Sequence, residues 1–156
     1  MLKIEDDGVT HINVYSKGKT TLGKFLSNFT HTKLHLPEGT FNSVEAYWYW
    51  LKCEGNERRD DLKRLHGFSA KKLGKELSKD FSDPVESTEF IEKIKFALKE
   101  KLKSNKDVLI EFGNSSLPFV HYYEFGGKIT LVDKHLWLIE ELECLRTITK
   151  NWLQRK

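Results

Sequence analysis

Phe41-Asn42-Ser43-Val44-Glu45-Ala46-Tyr47-Trp48-Tyr49-Trp50-Leu51-Lys52 is the stretch around which the rest of the chain can be read. At helical spacing Val44, Tyr47, Trp48 and Leu51 form an apolar stripe that demands burial, and Glu45, Trp48, Tyr49 and Lys52 share the adjacent face. One surface then carries an acid, two rings and an ammonium. A carboxyl held against aromatic surface loses hydration, which disfavours its charged form and moves its pKa towards values useful in proton transfer. The same spacing admits a structural reading. Asn42 is a good N-cap, and Asn42 with Glu45 has the N-x-x-E spacing of a capping box, in which the glutamate only returns a hydrogen bond to the cap. Spacing leaves both readings open.

At 156 residues the chain has the length of one ordinary domain, enough to bury a core without staples. Its 38% hydrophobic and 12% aromatic content argues for a folded protein despite 31% charged residues. A formal charge of +3 is mild and spread along the chain, whereas a dedicated duplex-binding protein more often shows a basic patch or a recognisable motif. That charge is all that speaks for a general nucleic-acid-interacting role. Cys53 and Cys144 stand far apart in no metal-ligand pattern, which suggests a reducing compartment. Residues 1 to 9 do not read as an apolar h-region, and no run approaches the roughly 20 apolar residues that span a bilayer. The expectation is a soluble cytoplasmic protein with no membrane contact, no metal constellation and no stable protein partner.

Outward from the aromatic helix, Lys33-Leu34-His35-Leu36 alternates as a short strand, Pro37-Glu38-Gly39 turns the chain, and Thr40-Phe41 leads back in. His11 to Tyr15 alternates as a half-buried strand. Gly18-Lys19-Thr20 then mimics the end of a P-loop, but the position of its first glycine is Asn13, so no backbone cradle is preformed. Glu54 to His66 is a charged run whose Arg58 and Arg59 suit either a solvated surface or phosphate. Ser69 is placed to cap a short helix over residues 70–77 with Leu73 and Leu77 inward and Lys71 off that face. Asp83-Pro84-Val85-Glu86 has the form of a helix start, predicting a helix to about Ser104 that buries Ile91, Ile94, Leu98 and Leu102. Asp107 to Phe112 reads as strand or helix end. Phe119 to Tyr123 and Lys128 to Val132 read as paired strands about Gly126-Gly127, with His121, Tyr122 and Tyr123 open to a pocket, although a histidine in a hairpin is more often a surface or core residue. Asp133 is placed to cap a last helix through Leu138, Leu142, Leu145 and Trp152, with Glu140, Glu141 and Glu143 on its wet face. These elements predict an α+β domain spanning 1–156, mainly helical with one or two small antiparallel ribbons.

Three ordered blocks then carry a resemblance. Ser27-Asn28-Phe29, Ser43-Val44-Glu45-Ala46-Tyr47 with Lys52 seven residues after the glutamate, and Ala70-Lys71-Lys72-Leu73-Gly74-Lys75 resemble the S-N-F, S-V-E-H-A-Y-Q-A-x-K and A-K-x-L-G-R segments of the NADAR (YbiA-like) family. The resemblance covers about residues 20 to 150. The family's histidine after the glutamate is Ala46 here, and its glutamine and alanine are Trp48 and Tyr49. Membership implies a compact α+β fold and N-glycosidase chemistry on a ribose C1′–N bond, without a cofactor. Family substrates include phosphoribosylamino-pyrimidine intermediates of riboflavin synthesis and guanine bases bearing ADP-ribose, as small molecules or in nucleic acid. By the same resemblance Glu45 and Lys71 are the catalytic pair. Asn28 orients the ribose, Trp48 or Tyr49 stacks on a base, and Lys52 offsets phosphate. The altered positions 46, 48 and 49 motivate the alternative of a non-catalytic ADP-ribose or nucleotide-binding module.

Overall fold

The computed structural model describes residues 1–79 and 86–155. In chain order its elements are β1 (Ile12–Asn13), α1 (Thr21–Leu26), β2 (Leu34–Leu36), β3 (Gly39–Phe41), α2 (Val44–Lys52), α3 (Gly67–Ser78), α4 (Thr88–Lys103), α5 (Lys106–Asn114), β4 (Phe119–Val120), β5 (Tyr122–Phe125), β6 (Lys128–Leu131) and α6 (Leu136–Gln154). Short 3-10 stretches lie at Ile4–Asp6 and Arg59–Arg64. This is an α+β chain with small two-stranded ribbons. It gathers into two compact units, Asn28–Ser104 and the pair of segments Met1–Ser27 and Asn105–Lys156.

In the unit Asn28–Ser104, α2 is the central element. It packs against α3, α4, β3 and the Arg59–Arg64 stretch. Its interior exceeds the expected stripe: Val44, Tyr47 and Trp48 are buried, but so are Ala46 and Trp50, while Leu51 is only half-buried. A short helix enclosed on most sides must satisfy its polar atoms locally, and it does. Tyr47 donates its hydroxyl to the Glu38 carboxylate at 2.9 Å, and Trp50 Nε1 donates to Asp60 Oδ1 at 2.8 Å. β2 and β3 form the expected hairpin, with Leu34 opposite Phe41. α3 begins at Gly67 behind His66, not behind Ser69, and turns Ala70, Gly74 and Leu77 inward while Leu73 is half-buried. The predicted start at Asp83-Pro84-Val85 lies outside the described residues. The described helix α4 opens at Thr88, where the Ser87 hydroxyl accepts from Phe90 N–H, and it buries Ile94, Leu98 and Leu102 as expected, with Ile91 half-buried.

The other unit joins distant segments. β1 pairs parallel with β4, Ile12 opposite Phe119, a contact across more than a hundred residues that no local pattern foretells. Asn13 extends that ladder with its side chain, donating Nδ2 to Tyr122 O at 3.0 Å and accepting Tyr122 N–H at 3.0 Å. The Gly18-Lys19-Thr20 segment is no phosphate loop: Lys19 N–H points at Asp7 Oδ2 at 2.8 Å, and Thr20 caps α1. Asp107 to Phe112 is helix, not strand, because the Asn105 side chain accepts Val108 N–H and starts α5. α6 starts behind His135 and not at Asp133. Glu143 does not belong to a merely solvated face, since it accepts Phe119 N–H at 3.0 Å and pairs with the buried Arg146 at 2.6 Å. Trp152, which continues the helical spacing of Leu138, Leu142 and Leu145, is exposed.

The tightest seam in the Asn28–Ser104 unit is between α2 and α3. A Cβ on Gly74 would stand 2.1 Å from Tyr49 Cγ, so the tyrosine ring lies directly on the α3 backbone. In an exposed helix Gly→Ala gains up to about 1 kcal/mol from propensity. Here the added methyl must push a ring aside, and overpacking of this kind costs roughly 1–3 kcal/mol. Gly74→Ala is therefore expected to lower the urea midpoint, and a Tyr49→Ala background is expected to abolish the loss.

Candidate functional site

Which of the two readings of Glu45 holds is decided at the first turn of α2. The N-cap is Ser43, whose Oγ accepts Ala46 N–H at 3.0 Å and donates to Leu65 O at 3.0 Å. Asn42 instead donates its side-chain amide to Arg64 O. With Ser43 as the cap, the capping-box position falls on Ala46, and Glu45 sits one place too early to return a hydrogen bond. Its carboxylate is not part of a cap.

The Glu45 backbone N–H donates to the carbonyl of Asn28 at 3.0 Å, which holds the loop at Asn28 against the start of α2. One residue on, Phe29 O accepts Gly67 N–H at 3.0 Å and ties the same loop to the start of α3. Gly67 has φ +59°, a left-handed backbone that suits glycine. Asn28, Glu45 and the α3 lysines are thus brought together from three places in the chain by backbone bonds.

Burial pushes the Glu45 carboxyl up to about 7, against the pull of Lys71, then Lys52, then Lys75, whose ammonium groups favour its charged form. The carboxyl therefore exchanges a proton near neutrality inside a positively charged surround. Lys71 Nζ stands 5.8 Å from the centre of the Phe29 ring and Lys52 Nζ 5.6 Å from that of Trp48. Aromatic faces at this range attract cations.

The expected site residues divide by accessibility. Asn28, Glu45, Tyr49, Lys52 and Lys71 are all half-buried. Trp48 is only 6% exposed and lies edge-on to Phe90 at 4.8 Å. Arg58 and Arg59, weighed for phosphate, have other partners: Arg59 stacks on Trp50 at 3.6 Å, and Arg58 reaches Asp61 and Glu76. His121, Tyr122 and Tyr123 belong to the other unit. There Tyr122 is buried with its hydroxyl 2.9 Å from His11 Nε2, and Tyr123 packs on Tyr15. Sequence reading missed Lys75 and Phe29. Lys75 was in view as the fourth residue after Lys71, the spacing that keeps two side chains on one helix face. Among the described residues no cluster of three or more metal-ligating side chains occurs.

No family model matches the sequence, and no curated protein does. Among solved structures the chain is similar to the NMR structure of the E. coli protein YbiA, with a TM-score of 0.68 over 94% of this chain and 89% of that one, at 18% identity. The fold is YbiA-like. No helix among the described residues is long and apolar enough to cross a membrane.

The raised carboxyl has a consequence for stability. Between the ordinary value of 4.5 and about 7 the folded chain keeps a proton that the unfolded chain has lost. Stability therefore falls as pH rises through that window and is level above it. Glu45→Gln is expected to be more stable than wild type above pH 7, by on the order of 2–3 kcal/mol, with the difference fading towards pH 4. Urea unfolding at a series of pH values checks this. A carbon-13 carboxyl titration should place the Glu45 midpoint near 7, and Lys71→Met should move it higher.

Proposed function

We propose that the chain is an N-glycosidase that cleaves a ribose C1′–N bond in an ADP-ribose- or phosphoribosyl-containing substrate. The observation that carries the reading is a carboxyl free of any capping role, balanced near neutrality and surrounded by lysines. The YbiA-like fold and the three sequence blocks of the NADAR pattern support it.

Glu45, protonated, gives its proton to the ribose ring oxygen. The ring opens and C1′ becomes an iminium with the departing nitrogen. The Lys71 ammonium first loses a proton to solvent; the free amine then adds to C1′, its proton passes to the substrate nitrogen, and the base leaves as a free amine. C1′ is then held as a Schiff base on Nζ. Water, deprotonated by the Glu45 carboxylate, adds to it, releases the aldehyde sugar and restores the lysine. Only water is consumed, and no cofactor is needed. Asn28 orients the ribose hydroxyls. Tyr49 offers accessible ring surface to a base, while Trp48 backs the site from inside. Lys52 offsets phosphate charge.

The test is mass spectrometry of reactions with guanine-linked ADP-ribose, and with phosphoribosylamino-pyrimidines. Wild type is expected to release the sugar, and Glu45→Gln to slow it on the order of a hundred- to ten-thousandfold. Borohydride should trap the sugar on wild type and not on Lys71→Ala. Full turnover by Glu45→Gln would sink the mechanism, and tight binding of these ligands without release would favour the non-catalytic binding module.

A further inference from the structure

The two sides of α6 differ in character. Inward it packs against α5 and β4, and Leu142, Leu145, Arg146 and Thr149 are buried. Outward, Cys144, Ile148 and Trp152 are all exposed at steps of four residues, Ile148 by 59%. A single exposed apolar residue is ordinary, but these three stand in one line. From Leu142 to Gln154 every exposed side chain is uncharged, in a chain that is 31% charged. The charged residues of that stretch are turned away: Glu143 accepts Phe119 N–H, Arg146 donates to Leu117 O, and Lys150 reaches Ser115 O at 3.4 Å. A charge-free patch centred on a branched and an aromatic side chain has the composition of an interface core and not of a solvated helix face. Charge returns at the two ends with opposite sign. Half-buried Glu141 lies seven residues before Ile148, and exposed Arg155 lies seven after it.

We infer that this stripe is a contact between two copies of the chain, packed α6 against α6 in antiparallel sense about a two-fold axis at Ile148. The spacing is symmetric about that residue: Cys144 and Trp152 lie four places to either side, Glu141 and Arg155 seven. An antiparallel second copy therefore sets Ile148 on Ile148, each Cys144 beside the partner's Trp152, and each Glu141 beside the partner's Arg155. Self-complementarity of this kind is what an isologous two-fold interface requires. A parallel copy would place acid on acid and base on base, and a partner helix of one charge sign would be repelled at one end. Steps of three and four residues suit helices crossing at about 20° with their axes about 8–10 Å apart. The seam is only about 21 Å long, so the contact is at the small end of specific interfaces and the dissociation constant is expected on the order of 10–100 µM. The stripe belongs to the unit that does not hold Glu45, and the inference is independent of the glycosidase reading.

Sedimentation equilibrium of the full chain, from low micromolar to about 1 mM, should show monomer passing to dimer. Ile148→Glu, at an exposed position, brings two carboxylates together at the axis and should abolish the dimer, and Ile148→Ala should weaken it roughly tenfold or more. Arg155→Glu should weaken association roughly two- to thirtyfold, and adding Glu141→Lys to it should restore the wild-type constant. Mild oxidation reads the register. In a Cys144→Ser background, Ile148→Cys should form a disulfide between copies, whereas wild-type Cys144, set about 12 Å along the axis from its counterpart, should not. Cys53 is buried and does not compete. A chain that stays monomeric throughout, a dimer indifferent to Ile148→Glu, or a Cys144 cross-link that forms as fast as the one at position 148 would overturn the inference.

Discussion

The hydroxyl of Ser43 is the interaction on which the Asn28–Ser104 unit depends. It is fully buried, accepts from the first turn of α2 and donates to the chain just before α3. One oxygen thus ends an otherwise unsatisfied helix terminus and fixes the approach of the segment that leads into the lysine-bearing helix. Because Ser43 takes the cap, Glu45 is released from it. The carboxyl is then answerable only to burial and to three ammonium groups, and those opposing influences leave it near neutrality.

Around that hydroxyl the seams are made by few, specific contacts. Two backbone bonds from consecutive residues, Asn28 and Phe29, hold one loop to the starts of two helices. A glycine at 74 admits a tyrosine ring flat against the next helix. Polar atoms that accompany the aromatic residues inward, the Tyr47 hydroxyl and the Trp50 indole N–H, are met by Glu38 and Asp60. The interior is aromatic without leaving those donors unpaired, which burial would penalise.

Much of this was legible in the residues. The aromatic helix, its hairpin, the long helix and the glycine turn between β5 and β6 follow from periodicity and turn chemistry, and Glu45 stood out as a carboxyl among rings. The cap of α2 was not legible, because Asn42 and Ser43 are both good caps. The choice was made by Leu65 O, twenty-two residues away. The nature of α5 was ambiguous for a similar reason: a short apolar run fits strand or helix until the Asn105 cap is counted. The β1–β4 pairing could not be read at all, since parallel strands give no local sign of their partner. In the site, Lys75 lay within reach of pattern reading, but Phe29 as a companion to Lys71 needed the loop to be seen in place.

Two inward-facing residues of α2 have a consequence for how the helix tolerates change. Ala46 is completely enclosed and Trp48 nearly so. Exchanges there alter the volume inside α2 and leave Glu45, one residue before Ala46, on the accessible side. Residues at such places can be exchanged, one compensated packing change after another, while the helix and the carboxyl it displays persist.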